Sequence, residues 1–222
     1  MPKRLTPIQA NYPVPDDFVA LVRRWRSDAL DILFGYVWRG FDKLLLEDEF
    51  DLSQAEENLE RSITQLVCQR IRDVMEGKPP FYLEHHWFED ETREAAPAAP
   101  PAPDLAFILR ANPRATLPLE AKVLRTDGRV AEYVRDINAN FLECRYAPFS
   151  SQGGMLGYLL RGLPSRALDK IATQLGCELV PHAAFPERDH RCSHHRRTGE
   201  ACSDVPRDFT RHHLIIVLGE CS

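Results

Sequence analysis

Residues 103–122 read PDLAFILRANPRATLPLEAK, and this stretch predicts two paired β-strands that carry charged side chains. Asp104 precedes a first apolar run, a turn follows, and a second run carries Glu120 and Lys122. Because residues two apart on a strand point to the same side of a sheet, Glu120 and Lys122 project together. Pairing of the two runs as a hairpin brings Asp104 near them. Two carboxylates beside one lysine form a divalent-metal site suited to phosphate chemistry.

The chain before this hairpin predicts helices. Apolar residues recur at helical spacing over residues 18–46. Gly35 and Gly40 weaken the middle of this pattern, which favours two helices over one. A second helical segment follows, because Ser53 and Glu56 match a capping box, S-x-x-E, ahead of a new apolar stripe.

The remaining segments alternate between strand and helix patterns. Residues 81–88 are aromatic-rich and predict a strand, while residues 91–103, ETREAAPAAPPAP, predict a flexible Pro/Ala loop with little to bury. After the hairpin the pattern predicts a helix over 130–142, a buried strand over 153–160, a helix over 163–176, an irregular segment over 177–210 and a final strand over 213–218. This order predicts an α/β domain built around a mixed central sheet.

The letters PD at Asp104 and ExK from Glu120 to Lys122, placed on two predicted strands, resemble the PD-(D/E)XK nuclease superfamily, also called restriction-endonuclease-like. A preceding helix with a glutamate near its start, and a helix and strand after the motif, fit the same pattern. The resemblance implies a restriction-endonuclease-like mixed central sheet flanked by helices. Residues 1–50 would form an N-terminal arm and helical extension, and residues 51–222 the nuclease-like domain.

The resemblance also implies a role for each residue of the motif. Asp104 and Glu120 would ligate a divalent cation, Mg²⁺ or Mn²⁺. Lys122 would orient the attacking water or help to deprotonate it, for which a depressed pKa is suitable. Glu60, or less favourably Glu57, would be the carboxylate supplied by the preceding helix.

Two classes of function follow from the resemblance. The first is a metal-dependent endonuclease that hydrolyses phosphodiester bonds in DNA, with the effector subunit of an anti-phage defence system as its biological role. The alternative is a catalytically inactive nuclease-fold subunit that serves protein–protein or nucleic-acid binding. The intact set of Asp104, Glu120 and Lys122 favours the enzyme.

Charge restricts how such a protein would bind DNA. The net charge of −5 counts against strongly electrostatic, non-specific binding by the whole surface. A local basic patch is therefore needed, and Arg191, Arg196 and Arg197 are the candidate phosphate contacts. An ordinary solvated loop is the alternative interpretation of this segment. We also expect a protein partner or a homo-oligomer to bring an acidic chain to nucleic acid.

The same C-terminal segment carries ligand types that zinc prefers. A zinc site would draw on Cys192, His194, His195, Cys202 and His212 or His213. The spacing matches no common zinc finger, so a polar loop near the active cleft is the favoured interpretation.

Cysteine usage and hydropathy bear on location. The six cysteines show no C-x-x-C spacing and no export signal precedes them, which favours reduced thiols. No apolar run approaches the roughly 20 residues that a membrane helix needs. These features predict a cytoplasmic protein without membrane contact.

Overall fold

A computed structural model describes residues 27–47, 50–77, 79–89, 100–146, 148–198 and 207–219. Within these residues the chain forms a mixed seven-stranded sheet with helices packed on both faces. The predicted α/β class with a mixed central sheet is thus confirmed. No helix in the described part is long and apolar enough to cross a membrane.

The elements follow one another in the order that the sequence predicts, with additions near the C-terminus. The helices are α1 (Ser27–Glu47), α2 (Glu56–Val74), α3 (Ala131–Asp136), which continues into a π-helical segment (Ile137–Leu142), and α4 (Pro164–Leu175). The strands are β1 (Phe81–His85), β2 (Leu105–Leu109), β3 (Asn112–Leu124), β4 (Gln152–Leu159), β5 (Val180–Pro181), β6 (His190–Arg196) and β7 (Asp208–Val217).

The sheet order is β1-β2-β3-β4-β7-β6-β5. Strand β4 runs parallel to both of its neighbours, β3 and β7. The outer pairs on each side are antiparallel. The parallel pairing of β3 with β4 requires a crossover, which α3 supplies.

Each face of the sheet buries its own apolar core. Helices α1 and α2 cover one face, where Phe34 packs with Leu156 and Leu214. Helices α3 and α4 cover the opposite face, where Tyr133 packs with Ile215. Alternation along β7 sends neighbouring side chains into different cores. Burying each large apolar side chain contributes about 1.5–3 kcal/mol.

The segment predicted to be irregular contains two strands. Strand β6 reads HRCSHHR and has no apolar alternation, so its sequence does not indicate a strand. It is a strand because it pairs with β7 along its whole length, from His190 opposite Leu214 to Arg196 opposite Asp208. Backbone hydrogen bonds to a buried neighbour therefore override the polar pattern.

Two predictions about the N-terminal half are wrong in detail. Ser53 does not cap α2, which begins at Glu56 without a side-chain cap. The Ser53 hydroxyl instead donates to Asp51 Oδ1 at 2.6 Å. Residues 27–47 of the first apolar region form one helix, α1, which continues through Gly35 and Gly40. Gly40 allows α1 to approach α2 closely, because a Cβ at Gly40 would lie 2.5 Å from Ile71 Cγ1.

The predicted flexible Pro/Ala loop falls mostly outside the described residues. Its C-terminal end is attached to its surroundings. The Glu89 N–H donates to the Pro101 carbonyl oxygen at 2.7 Å, and the Tyr146 hydroxyl donates to the Ala102 carbonyl oxygen at 3.1 Å. The chain is therefore held where it enters Asp104. The predicted N-terminal arm lies outside the described residues.

The cysteines differ from one another. Cys68, Cys177 and Cys192 are free thiols, as predicted. Cys144 is disulfide-bonded, so the expectation of reduced thiols throughout is wrong at this position.

We expect Gly40→Ala to destabilise the protein by about 1–3 kcal/mol, because the added methyl group must displace the Ile71 backbone. Gly35→Ala is the matched control on the same helix. No heavy atom lies within 4 Å of a Cβ at Gly35, so alanine there should be neutral or stabilise by up to about 1 kcal/mol. Urea unfolding of the two variants measures both effects. Equal stability of Gly40→Ala and the wild type would contradict the close packing of α1 on α2.

Candidate functional site

Strand β3 extends beyond the strand that pairs with it. Leu105, the first residue of β2, lies opposite Leu119, whereas β3 continues to Leu124. On its other edge β3 is paired with β4 up to Leu124. After Leu119, the backbone N–H groups on the β2 edge of β3 have no strand beside them. Side chains must therefore supply their hydrogen-bond acceptors.

Two carboxylates supply those acceptors. The Ala121 N–H donates to Asp104 Oδ2 at 2.8 Å. The Val123 N–H donates to Glu60 Oε2 at 3.0 Å. Asp104 comes from the residue just before β2, and Glu60 comes from the second turn of α2. The edge of β3 thus holds two acidic side chains side by side, although they come from distant parts of the chain.

Lys122 lies between two ion-pair partners. Its Nζ atom is 3.1 Å from Glu60 Oε1 and 3.1 Å from Asp136 Oδ2. Burial lowers the pKa of Lys122, but the carboxylates of Glu60 and Asp136 outweigh it, and the net pKa is raised above the ordinary value. In the metal-free protein the ammonium group of Lys122 is therefore favoured, and the depressed pKa expected beside a bound cation and substrate stays a prediction.

Sequence reasoning missed Asp136. It is the last residue of α3 and directly precedes the π-helical segment at Ile137–Leu142. π-Helical segments occur frequently at functional sites. The local pattern around Asp136 was helical and apolar, so nothing in the sequence placed its carboxylate against Lys122.

Glu120 is the residue whose environment most clearly needs a cation. Its side chain is 8% exposed, and its Oε2 atom has no hydrogen-bond partner in the described part of the chain. Burial raises the pKa of Glu120 well above its ordinary value, and the neighbouring Asp104 carboxylate raises it further. Burial likewise raises the pKa of Asp104. A divalent cation between the two would offset both effects.

The donor set fits a hard cation. Asp104 and Glu120 offer carboxylate oxygens, which Mg²⁺ prefers, and Mg²⁺ usually keeps several waters rather than a full cage of protein ligands. The side chain of Lys122 leaves Asp104 and Glu120 available, because its ion pairs are with Glu60 and Asp136.

A cleft opens beside Lys122, between the start of α2 and α3. Its charged lining is mixed, with four basic and four acidic side chains: Lys122, Arg125, Arg129, Arg135, Glu56, Glu57, Glu60 and Glu132. The Arg125 guanidinium pairs with Glu56 at 3.1 Å. Arg191, Arg196 and Arg197, the phosphate contacts predicted from the sequence, are not among the described residues that line this cleft.

The three arginines predicted to contact phosphate have different surroundings. Arg191 pairs with Asp169 of α4 at 3.0 Å, and Arg196 is exposed. Arg197 is only 1% exposed, and its guanidinium donates to the carbonyl oxygens of Phe141 and Ser150. Arg197 is therefore a buried structural residue, and its prediction as a phosphate contact is corrected.

The zinc set predicted from the sequence does not come together as predicted. His213 and His195 lie on the α3 side of the sheet, where each is within 2.7 Å of the Ser193 hydroxyl. His194 is exposed and contacts Thr210. Cys202 lies outside the described residues. The separation follows from the alternation of side chains along β6 and β7.

We expect Glu120→Gln to stabilise the metal-free protein at about pH 8 but not below about pH 4. A carboxyl group whose pKa is raised by folding keeps its full contribution to stability below its unfolded pKa of about 4.3, and loses it as the pH rises through the folded value. Glutamine stays neutral and avoids that loss. Denaturant unfolding in the presence of a chelator measures the difference. If the variant is less stable than the wild type by the same amount at both pH values, the pKa of Glu120 is not raised by its burial beside Asp104.

No protein-family model matches this chain, and comparison with curated proteins and with solved structures found no significant match.

Proposed function

We propose that the protein is a metal-dependent nuclease that hydrolyses phosphodiester bonds in DNA, with Mg²⁺ or Mn²⁺ held by Asp104 and Glu120. The observation that carries this proposal is the buried Oε2 atom of Glu120. It has no hydrogen-bond partner among the described residues and lies beside a second carboxylate of raised pKa. Carboxyl groups whose pKa values are shifted by burial and by each other are typical of functional sites.

A bound divalent cation would lower the pKa of a water ligand and offset the charge that develops on the phosphate. Asp104 is positioned for ligation by the hydrogen bond that its Oδ2 atom accepts from the Ala121 N–H at 2.8 Å. Glu120 supplies a carboxylate from the adjacent position of β3. Glu120 is on β3, which pairs with β4, and Asp104 directly precedes β2, so adjacent strands position both ligands.

Lys122 serves as a fixed positive charge. Glu60 and Asp136 favour its ammonium form, so it would donate a hydrogen bond to a phosphate oxygen or to the attacking water. Glu60 and Asp136 position it, each at 3.1 Å from Nζ. Of the roles that the motif implies for Lys122, this proposal keeps the orientation of the attacking water and the stabilisation of the phosphate charge.

Three arginines of the cleft beside Lys122 are the candidate contacts to the sugar-phosphate backbone. Arg125, Arg129 and Arg135 carry positive charge beside the glutamates that line the same cleft. Contacts of this kind are sequence-independent and position the nucleic acid. The proposal therefore includes substrate binding through the arginines of a cleft of mixed charge.

We expect the wild type to cleave DNA in the presence of MgCl₂ or MnCl₂ and to lose activity with a chelator. Asp104→Asn, Glu120→Gln and Lys122→Met should each reduce the cleavage rate by about 100-fold or more, since each removes a group that would act on the reacting phosphate. A plasmid-nicking assay and a labelled-oligonucleotide assay, with RNA of the same sequence in parallel, measure the rate and identify the substrate.

Glu57→Gln is the matched control for Glu60→Gln. Glu57 is exposed at the start of α2 and lines the same cleft, but the carboxylate that meets Lys122 and the Val123 N–H belongs to Glu60. Glu57→Gln should keep wild-type activity, and Glu60→Gln should be impaired. If the wild type binds DNA but cleaves no nucleic acid with either metal, the proposal fails and the inactive binding subunit becomes the better interpretation.

A further inference from the structure

Four metal-ligating side chains meet on the face of the sheet that α1 covers. His190 and Cys192 are on β6, His212 is on β7, and His182 directly follows β5. One donor atom from each lies within 4.8 Å of the donor atoms of the other three. Register explains the convergence: Cys192 is paired with His212, and His190 is two residues before Cys192 on the same face.

The separations between donor atoms suit one small ion. His190 Nε2 is 3.1 Å from His212 Nδ1, and Cys192 Sγ is 3.3 Å from the same nitrogen. Tetrahedral zinc, with Zn–N of about 2.0–2.1 Å and Zn–S of about 2.3 Å, requires donor separations of about 3.3–3.6 Å. The His182 and His190 rings both lie 5.3 Å from the His212 ring, centroid to centroid. The donor atom of His182 lies within 4.8 Å of the other three donors, so movement of this side chain toward them would complete a tetrahedron.

A second layer of contacts orients His212. Its Nε2 atom is 3.1 Å from Gln152 Oε1, which can only accept a hydrogen bond. The ring hydrogen is therefore on Nε2, and the lone pair of Nδ1 faces the cluster. Outer partners that fix the tautomer of a histidine in this way are characteristic of metal ligands. Gln152 is the first residue of β4, so this contact joins the cluster to the centre of the sheet.

Aromatic rings pack around the cluster, and one carboxylate lies at its edge, where Asp31 Oδ1 of α1 is 3.7 Å from His182 Nε2. Phe34 of α1 lies 4.2 Å from the His212 ring, and Phe185 stacks on the His190 ring at 5.4 Å. Three imidazoles and one thiol are ligands that suit Zn²⁺ and are poor ligands for Mg²⁺. The cluster therefore differs in chemistry from the carboxylate pair at Asp104 and Glu120.

We propose that His182, His190, Cys192 and His212 form a closed four-ligand Zn²⁺ site that joins β5, β6 and β7 beneath helix α1. Because the protein fills all four coordination positions, the site is structural, with no open position for a substrate. It lies on the opposite face of the sheet from Glu120 and Lys122, and β6 is three strands away from β3. The zinc site is thus independent of the proposed nuclease centre.

Zinc binds the neutral form of imidazole and the thiolate form of cysteine. Binding of zinc would therefore deprotonate Cys192 and release one proton to solvent.

The test is the zinc content of the full chain, purified without added metal and measured by mass spectrometry. We expect one zinc per chain in the wild type and a content close to zero in Cys192→Ser and His212→Ala. His194→Ala and Cys177→Ser are matched controls, because His194 is exposed on the same strand and Cys177 is a free thiol outside the cluster. Both controls should keep one zinc.

A wild type that stays free of zinc, even after incubation with zinc and removal of the excess, would overturn the proposal. Retention of zinc by both Cys192→Ser and His212→Ala would do the same. Cobalt substitution covers the case in which those variants do not fold. Cobalt-loaded wild type and Cys177→Ser should both show the thiolate-to-cobalt charge-transfer band, and its absence from the wild type would overturn the proposal.

Discussion

The unequal lengths of β2 and β3 are the constraint on which the candidate nuclease site depends. Strand β3 continues past the start of β2, and its backbone N–H groups there have no partner strand. Asp104 and Glu60 accept hydrogen bonds from two of them, at 2.8 Å and 3.0 Å. A buried N–H without an acceptor would cost free energy comparable to a lost hydrogen bond. The backbone therefore holds two carboxylates at the strand edge for a structural reason, and Glu120 and Lys122 project from the same segment of strand.

That arrangement stores electrostatic free energy in the metal-free protein. Lys122 neutralises part of the negative charge through Glu60 and Asp136, but Glu120 remains buried beside Asp104 with raised pKa values for both. Desolvation makes each charge costly unless it is paired. A cation that binds between the two carboxylates would remove this cost, and the free energy released would add to its affinity. The same buried charge that destabilises the metal-free protein would thus favour the proposed metal site.

Neighbouring residues of β7 face different sides of the sheet, and the two sides carry different kinds of metal ligand. His212 faces α1 and contacts Phe34, while His213 faces α3 and lies 3.1 Å from the Tyr133 hydroxyl. Neighbouring residues thus belong to the His/Cys cluster and to the core behind the acidic site. Oxygen ligands on one face and nitrogen and sulfur ligands on the other select different metals, because ligand softness decides which cation is preferred. One sheet can therefore hold a structural ion without competition from the proposed catalytic one.

The sequence by itself determined the α/β class, most of the helices and strands, and the placement of Asp104, Glu120 and Lys122 around one hairpin. These features follow from spacing along the chain, since strand alternation and helical periodicity are local. Only the tertiary structure decided that Asp136 meets Lys122, that Arg197 is buried, that HRCSHHR forms a strand, and that His182 joins His212. Each of these depends on the register and packing of segments far apart in sequence, which single-chain patterns do not encode.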